Sequence, residues 1–153
     1  MDFDHFGLIG GNATLGGLTV KGDTVLQQLT VARIITSGNA PTAVLGASTT
    51  VTGKDSSFAI VGNDSAGTVS YTSGTTAAAT LYTPAYTLAA GEQITVKFNK
   101  TYTTAPRIAL TAKDANSATA RYFVTNTTDG FVIHFLDAPS ASTTYNFDYI
   151  LIQ

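Results

Sequence analysis

The stretch Tyr145-Asn146-Phe147-Asp148-Tyr149-Ile150-Leu151-Ile152 alternates large apolar residues with smaller or more polar ones along most of its length. This period of two residues is typical of a β-strand. One face carries four large apolar residues, namely Tyr145, Phe147, Tyr149 and Leu151. The other face ends in Ile150 and Ile152, and a strand that is apolar on both faces is usually covered on both. We therefore expect one face to join the domain core and the other to meet a neighbouring subunit.

Seven earlier segments also have sequences typical of β-strands, and turn residues separate them. In Ile94–Phe98 the apolar residues are predicted to point inward, and Thr95 and Lys97 outward. The other predicted strands are Phe58–Val61, Thr68–Tyr71, Thr80–Leu88, Ile108–Ala112, Arg121–Thr125 and Phe131–Leu136. Eight strands at a spacing of about ten residues, with no helical period, predict an all-β fold. We expect residues 57–153 to form an antiparallel β-sandwich of jelly-roll-like type.

An apolar repeat lies ahead of this domain, in residues 12–35. A shift of eleven residues superposes Leu15 on Leu26, and glycines interrupt the run, which favours short strands and turns over a helix. Repeats of this kind need stacked neighbours to bury their apolar side. We therefore predict a shaft shared by three copies of the chain, a homotrimer. Its expected apolar contacts are Leu15, Leu18, Val20, Leu26, Leu29 and Val31.

Two further segments flank the predicted shaft. Residues 36–56 are rich in Ser, Gly, Thr and Ala and are expected to be a neck, with a possible strand at Ala43–Leu45 or Thr49–Thr52. Residues 1–11 are either a mobile terminus or a docking segment that anchors in a partner protein. In the docking interpretation the anchors are the apolar residues Phe3, Phe6, Leu8 and Ile9.

Composition narrows the classes of function. Of the 153 residues 44% are hydrophobic and only 12% are charged, so a packed core is expected. The net charge of −2 offers no electrostatic attraction for nucleic acid or an anionic membrane. Cysteine is absent, the start is acidic, and no apolar run approaches the roughly 20 residues that span a bilayer. We expect neither membrane insertion nor export through a cleaved signal.

Several stretches resemble the terminal domains of bacteriophage fibre proteins, which include tail fibres, head fibres and receptor-binding proteins. They are Val61–Val69, Thr72–Thr75, Val96–Pro106, Gly130–Ile133 and Tyr145–Ile150, and the repeat Gly17–Thr24 is similar to the shafts that often precede such domains. The resemblance implies a homotrimer in a virion, assembled in the host cytoplasm. It also implies contact with other virion proteins and a terminal domain free to bind a host surface.

No residue set carries a recognisable catalytic or cofactor motif. The two histidines, His5 and His134, are far apart, and the second is expected to be a hydrogen-bonded core or interface residue. A metal or anion site built from three copies of His134 is a minor hypothesis. Five of the ten acidic residues fall in predicted turns, where aspartate bonds to its own backbone: Asp55, Asp64, Asp114, Asp129 and Asp137. We expect no enzyme activity, cofactor or metal ion, although a carboxylate pair assembled between subunits is left open.

Recognition is therefore assigned to loops at the end of the sandwich far from the shaft. If all eight strands alternate in direction, four turns share that end: Asn63–Ala66, Ala89–Glu92, Lys113–Ser117 and Asp137–Ser142. The turns at Thr72–Ala79, Lys100–Ala105 and Asn126–Asp129 would face the shaft, as would the end of the last strand. The candidate receptor-binding residues are Asn63, Asp64, Ser65, Glu92, Lys113, Asp114, Asn116, Asp137 and Ser140.

Three functional hypotheses follow. The first is a host-recognition tip whose far-end loops bind a surface glycan or protein. The second is a structural capsid or baseplate decoration protein, whose β-domain trimerises and caps the shaft. The third is a non-viral trimeric binding module, which the absence of a secretion signal disfavours.

Overall fold

A computed structural model describes residues 30, 31, 34–50, 55–78, 80, 81 and 87–153. The chain divides into two compact units, Met1–Ile34 and Ile35–Gln153, and the second contains almost all of the described residues. The predicted docking segment (Phe3, Phe6, Leu8, Ile9) and the shaft residues from Leu15 to Leu29 lie outside the described residues. Val31, the last predicted shaft contact, is 46% exposed.

The described residues form eight strands in two antiparallel sheets. Strands β1 (Thr42–Leu45), β4 (Gly91–Lys97), β7 (Gly130–Phe135) and β6 (Tyr122–Asn126) make the first sheet, in that order. Strands β2 (Ser57–Gly62), β3 (Ala66–Thr72), β8 (Thr144–Ile152) and β5 (Arg107–Ala112) make the second. Two single-turn helices, α1 (Ala47–Thr50) and α2 (Ala115–Thr119), complete the fold. The predicted all-β class with antiparallel sheets is confirmed.

One apolar core fills the space between the sheets, because alternate residues of the central strands point inward. It consists of Val69, Tyr71, Ile94, Val96, Phe131, Ile133, Phe135, Tyr145, Phe147 and Tyr149. The inward assignment of Ile94 and Val96, and of the large residues of β8, is confirmed. The rings meet edge to face as aromatic pairs prefer, with centroids 4.9 Å apart for Phe135–Tyr145 and 4.7 Å for Tyr122–Phe147. Burial raises the pKa of Tyr71 and Tyr149 to about 12, so both phenols stay neutral at physiological pH.

The observed strands differ from the predicted strands at two positions along the chain. Strand β1 coincides with Ala43–Leu45, the first of the two alternative strands considered in the predicted neck, and it pairs with β4, so the sandwich begins before residue 57. Its sequence pattern is weak because the strand is only four residues long, yet Ala43 and Leu45 pack against the core. The predicted strand Thr80–Leu88 is not found among its described residues, which are Thr80, Leu81, Thr87 and Leu88.

This difference changes which loops lie together. Strand β3 ends and β4 begins at the same end of the sandwich. Residues 36–40 join the domain at the opposite end, where Asn99 Nδ2 donates to the carbonyls of Asn39 and Ala40 over 2.9 Å. We call the end at residues 36–40 the near end and the opposite one the far end.

The predicted grouping of four far-end turns is therefore wrong in one member. Asn63–Ala66 lies at the near end, together with Lys100–Ala105 and Asn126–Asp129. The other three predicted far-end turns do share the far end. Thr72–Gly74, the start of a turn predicted to face the shaft, lies at the far end as well, so that prediction is also wrong. Strand β8 runs toward the near end, as predicted, because Ile152 pairs with Arg107 there.

The outer faces of the two sheets carry exposed apolar residues. Ile150 and Ile152, predicted to meet a neighbouring subunit, are 57% and 58% exposed in the single chain. Phe123, predicted to point inward with most aromatic residues, lies on the outer face of the first sheet, where it stacks on His134. No helix in the described ranges is long and apolar enough to cross a membrane.

Candidate functional site

A groove of about 140 Å³ opens at the far end, between α2 and the connection from β7 to β8. We call it the far-end groove. Its lining comes from two parts of the chain, residues 116–121 and 135–145, and it consists of Asn116, Thr119, Ala120, Arg121, Phe135, Asp137, Ala138, Pro139, Ser140 and Tyr145. A volume of this size holds about five water molecules at roughly 30 Å³ each, or part of one larger polar group.

The floor of the groove is apolar and fixed. Phe135 and Tyr145 are 3% and 5% exposed and belong to the core. The phenol of Tyr145 accepts a hydrogen bond from the backbone N–H of Ser140 over 2.9 Å, which ties the loop to the floor. Pro139 is also buried. The floor therefore gives the loop above it a defined position.

The rim of the groove carries an exposed ion pair between Arg121 and Asp137. The guanidinium donates twice, from Nε to Oδ2 over 2.6 Å and from Nη2 to Oδ1 over 2.5 Å. These hydrogen bonds hold the pKa of Asp137 below its usual value and raise the pKa of Arg121. Both groups are charged at neutral pH, and the pair adds no net charge to the groove. Such a planar two-bond pair has a fixed orientation.

Helix α2 forms one wall, and Asp114 holds it in place. The carboxylate of Asp114 accepts from Ser117 N over 2.7 Å, from Ser117 Oγ over 2.8 Å and from Asn146 Nδ2 over 2.6 Å. The backbone bond from Ser117, with the other donors, lowers the pKa of Asp114. An aspartate at this position caps the first turn. Asn116, on the exposed side of the turn, donates from Nδ2 to the carbonyl of Thr144 over 3.0 Å.

The opposite wall is the connection between β7 and β8, and Ser73 anchors it. Ser73 is 2% exposed; its hydroxyl donates to the carbonyl of Ser140 over 2.5 Å and accepts from Thr143 N over 3.0 Å. The backbone N–H of Ser142 donates to the carbonyl of Gly74 over 3.0 Å. Both walls are thus bonded to the sheets beneath them, so the groove is largely pre-formed.

Three of the predicted receptor residues line this groove: Asn116, Asp137 and Ser140. Three others at the far end do not. Lys113 points to the outer face of β8, where its Nζ lies 3.1 Å from Asp148 Oδ1. Asp114 is the helix cap described above, and half-buried Glu92 sits opposite His134 at the start of β4.

The remaining three predicted residues lie at the near end and stabilise a turn. Asn63 is 7% exposed, and its Oδ1 accepts from the backbone of Ser65 and Ala66 over 2.8 and 3.1 Å. The carboxylate of Asp64 accepts from Asn99 N and Lys100 N over 2.9 and 3.0 Å. These bonds occupy the polar groups of the turn.

Sequence reasoning missed Arg121, Thr119 and Pro139 as groove residues. A signal for Arg121 was present: it is the first residue of the predicted strand Arg121–Thr125, and Asp137 directly follows the next predicted strand. In an antiparallel hairpin those two positions lie side by side, and opposite charges there indicate an ion pair. The backbone confirms the geometry, because Leu136 N donates to the carbonyl of Arg121 over 2.8 Å.

His134 lies away from the groove, on the outer face of the first sheet. Its ring is parallel to that of Phe123, with centroids 4.5 Å apart, and its Nε2 is 2.8 Å from Thr125 Oγ1. It is half-buried and hydrogen-bonded, but it is not a core residue. Within the described ranges, no three His, Cys, Asp or Glu side chains stand close enough together to hold a metal ion.

Comparisons with known proteins give no relative from which function could be transferred. No protein family, curated protein or solved structure matches the chain.

Proposed function

We propose that the chain is a non-enzymatic, trimeric fibre protein of a virion and that its β-sandwich binds a host surface receptor through the far-end groove. One observation carries the binding part of the proposal. Two turns that strand alternation assigned to recognition, Lys113–Ser117 and Asp137–Ser142, border the same groove. That groove opens at the end opposite to residues 36–40, by which the preceding chain joins the domain.

The chemistry of the groove favours an uncharged polar ligand. Arg121 and Asp137 cancel each other's charge, so neither a polyanion nor a polycation gains a net attraction there. The rim offers donors and acceptors side by side, from the Arg121–Asp137 pair, the amide of Asn116 and the hydroxyl of Thr119. The hydroxyl groups of a glycan, or the backbone amides of a peptide loop, can use both kinds of group.

The same geometry supports a binding role over glycan cleavage. Hydrolysis of a glycosidic bond generally uses two carboxyl groups, one of which must be protonated to act as an acid. Asp137 is the one carboxylate among the residues that line the groove. The bonds from Arg121 lower its pKa, which keeps it ionised at neutral pH. The groove of a single chain thus lacks a proton donor of this type.

Adsorption to cells tests the binding role. The fluorescently labelled full chain would be mixed with a panel of bacterial strains, and the cell-bound fraction measured for the wild type and for Arg121→Ala/Asp137→Ala. The matched control, Lys100→Ala/Asp129→Ala, removes one exposed base and one exposed acid at the near end. We expect adsorption to fall at least tenfold in the groove variant and to stay unchanged in the control.

Two results would contradict the proposal. Equal adsorption of the groove variant and the wild type would show that the groove is not part of the binding site. A wild-type protein that adsorbs to no strain of the panel would favour the structural decoration role. In that case, residues 1–11 would be deleted and incorporation into virions measured. Loss of incorporation by a chain that still assembles would show that residues 1–11 dock the protein on the virion.

A further inference from the structure

The outer face of the second sheet carries an apolar surface at the near end, which we call the near-end patch. It consists of Val61, Ala66, Ala109, Ile150 and Ile152. Val61 is 71% exposed, Ile150 57% and Ile152 58%. Single exposed apolar residues are normal on soluble proteins, but contiguous groups mark interaction sites.

The register of the sheet makes this patch contiguous. Ala66 of β3 lies directly opposite Ile150 of β8, and Ile150 lies opposite Ala109 of β5. Val61 of β2 pairs directly with Thr68 of β3, so Ala66, two residues before Thr68 on the same face, is its diagonal neighbour. Ile152 follows on the same face of β8. The patch therefore spans all four strands of the sheet.

The remainder of this outer face has a different character. Its hydroxyls and amides bond to one another across the strands: Thr68 to Asp148 over 2.5 Å, Ser70 to Asn146 over 2.5 Å, and Thr72 to Thr144 over 2.9 Å. Lys113 adds an ion pair to Asp148. This half is suited to water, and the change to apolar residues occurs between Asp148 and Ile150.

A hollow of about 510 Å³ continues the patch beyond the edge of the sheet. Its lining is Thr104, Ala105, Arg107, Ile152 and Gln153. Ile152 belongs to both features, so the patch and the hollow form one uninterrupted surface. Arg107 is the charged member: it lies directly opposite Ile152, on the edge strand β5, and it is exposed.

We infer that the near-end patch is an interface with a second copy of this chain. The first reason is the position of the preceding segment. Thirty-four residues come before the domain, they include the apolar repeat predicted to associate between copies, and they join the domain at this end. The hydroxyl of Thr36 accepts from Asn63 Nδ2 over 3.0 Å, two residues from Val61. Copies joined by that segment bring their near ends together.

The second reason is the lack of charge in the five patch residues. Identical copies repel each other where a charged surface meets its own equivalent, whereas an apolar surface can pack against itself or against a neighbouring one. This inference names the surface that would hold the domains together, and it rests on the oligomeric part of the proposed function.

The cysteine-free sequence allows a direct test, because any introduced thiol is the only one in the chain. Ile150→Cys would be compared with Leu136→Cys, whose side chain is 53% exposed at the far end. The rate of alkylation by iodoacetamide would be measured on the folded full chain, with its mass followed by light scattering. We expect the thiol at position 150 to react at least tenfold more slowly than the one at position 136.

Three further outcomes of the alkylation and light-scattering measurements bear on the inference. Equal alkylation rates in an oligomer would overturn the inference, and so would a monomeric wild-type chain. If Ile150→Cys stays folded but falls to monomer mass, the patch is needed for assembly and the inference holds. Ala109→Cys then places a thiol in the same patch with a smaller change. The assay uses no host cells, so it can fail or succeed independently of the adsorption test.

Discussion

At the scale of single residues, acidic side chains in predicted turns proved to have two different roles. Asp64 and Asp114 accept hydrogen bonds from nearby backbone and amide groups, and they stabilise local structure. Asp137 instead lies on the rim of a groove with a cationic partner. The sequence could place all three in turns, but it could not tell them apart, because two of the donors to Asp114 belong to Asn146 of β8, which lies 32 positions away.

Asp114→Asn tests the structural role of this residue. The amide keeps one acceptor but loses the charge that strengthens four bonds from Ser117 and Asn146. Asparagine also caps helices, so the loss comes from the weaker neutral bonds, and we expect the free energy of unfolding at neutral pH to fall by about 1–2 kcal/mol. Urea denaturation measures it. Asp129→Asn, at an exposed acid of the near end, is the control and is expected to change stability little.

The pH dependence of the same variant is a separate prediction. The pKa of Asp114 in the folded chain lies below its ordinary value of 3.8. The carboxylate therefore stabilises the fold fully at pH values above about 4, and this contribution is lost as the pH falls through the folded pKa. We expect the stability difference between wild type and Asp114→Asn to shrink between about pH 5 and pH 2. A difference that stayed constant over this range would mean that charge is not its source.

At the scale of elements, periodicity was sufficient wherever a strand was long and bordered by turns. Seven of the eight observed strands lie at predicted positions, and the inward residues of β4 and β8 follow from alternation alone. Strand β1 has only four residues, so alternation barely distinguishes it from the loop around it. Strand β1 adds one crossing of the sandwich before β2, so β2 runs toward the near end. That is why Asn63–Ala66 lies at the near end.

The connection between β7 and β8 is held by an element other than its own strands, and Ser73→Ala tests this anchor. The change leaves the carbonyl of Ser140 and the amide of Thr143 without the buried hydroxyl. We expect unfolding free energy to fall by about 1–3 kcal/mol. The amides of Ser142 and Thr143 are expected to exchange with solvent faster, by hydrogen-exchange mass spectrometry, since the loop opens more easily.

The neighbouring residue supplies a matched control for this variant. Thr72 also bonds through its hydroxyl, to Thr144 over 2.9 Å, but on the exposed face of the sheet. Water can replace that bond, so Thr72→Ala is expected to leave the exchange of the β7–β8 connection unchanged. Similar effects from both substitutions would show that burial of Ser73 is not the cause of its role.

At the scale of the whole molecule, the two ends of the sandwich differ in chemistry. The far end presents a polar groove with paired charges, and the near end presents an uncharged apolar patch. The doubly apolar pattern of β8 pointed to this patch from sequence alone. The groove required the fold, because its walls come from the segments before β6 and after β7 and from the start of β8.

The separation of the two surfaces leads to a final prediction about adsorption. A single groove of about 140 Å³ buries little of a ligand, so each site is expected to bind weakly. If the near-end patch joins several copies, their grooves act together, and linked sites can exceed single-site affinity by about 10²–10⁴-fold. Ile150→Glu/Ile152→Glu is expected to weaken assembly, so that light scattering gives a lower mass, and to reduce adsorption to cells by up to this factor. Its groove is expected to remain intact, because changes at distant sites are usually independent.

Val44→Glu, at a residue 49% exposed on the other sheet, is the control that should keep both mass and adsorption. A monomeric double variant that adsorbs as tightly as the wild type would show that one groove suffices and that assembly serves another purpose.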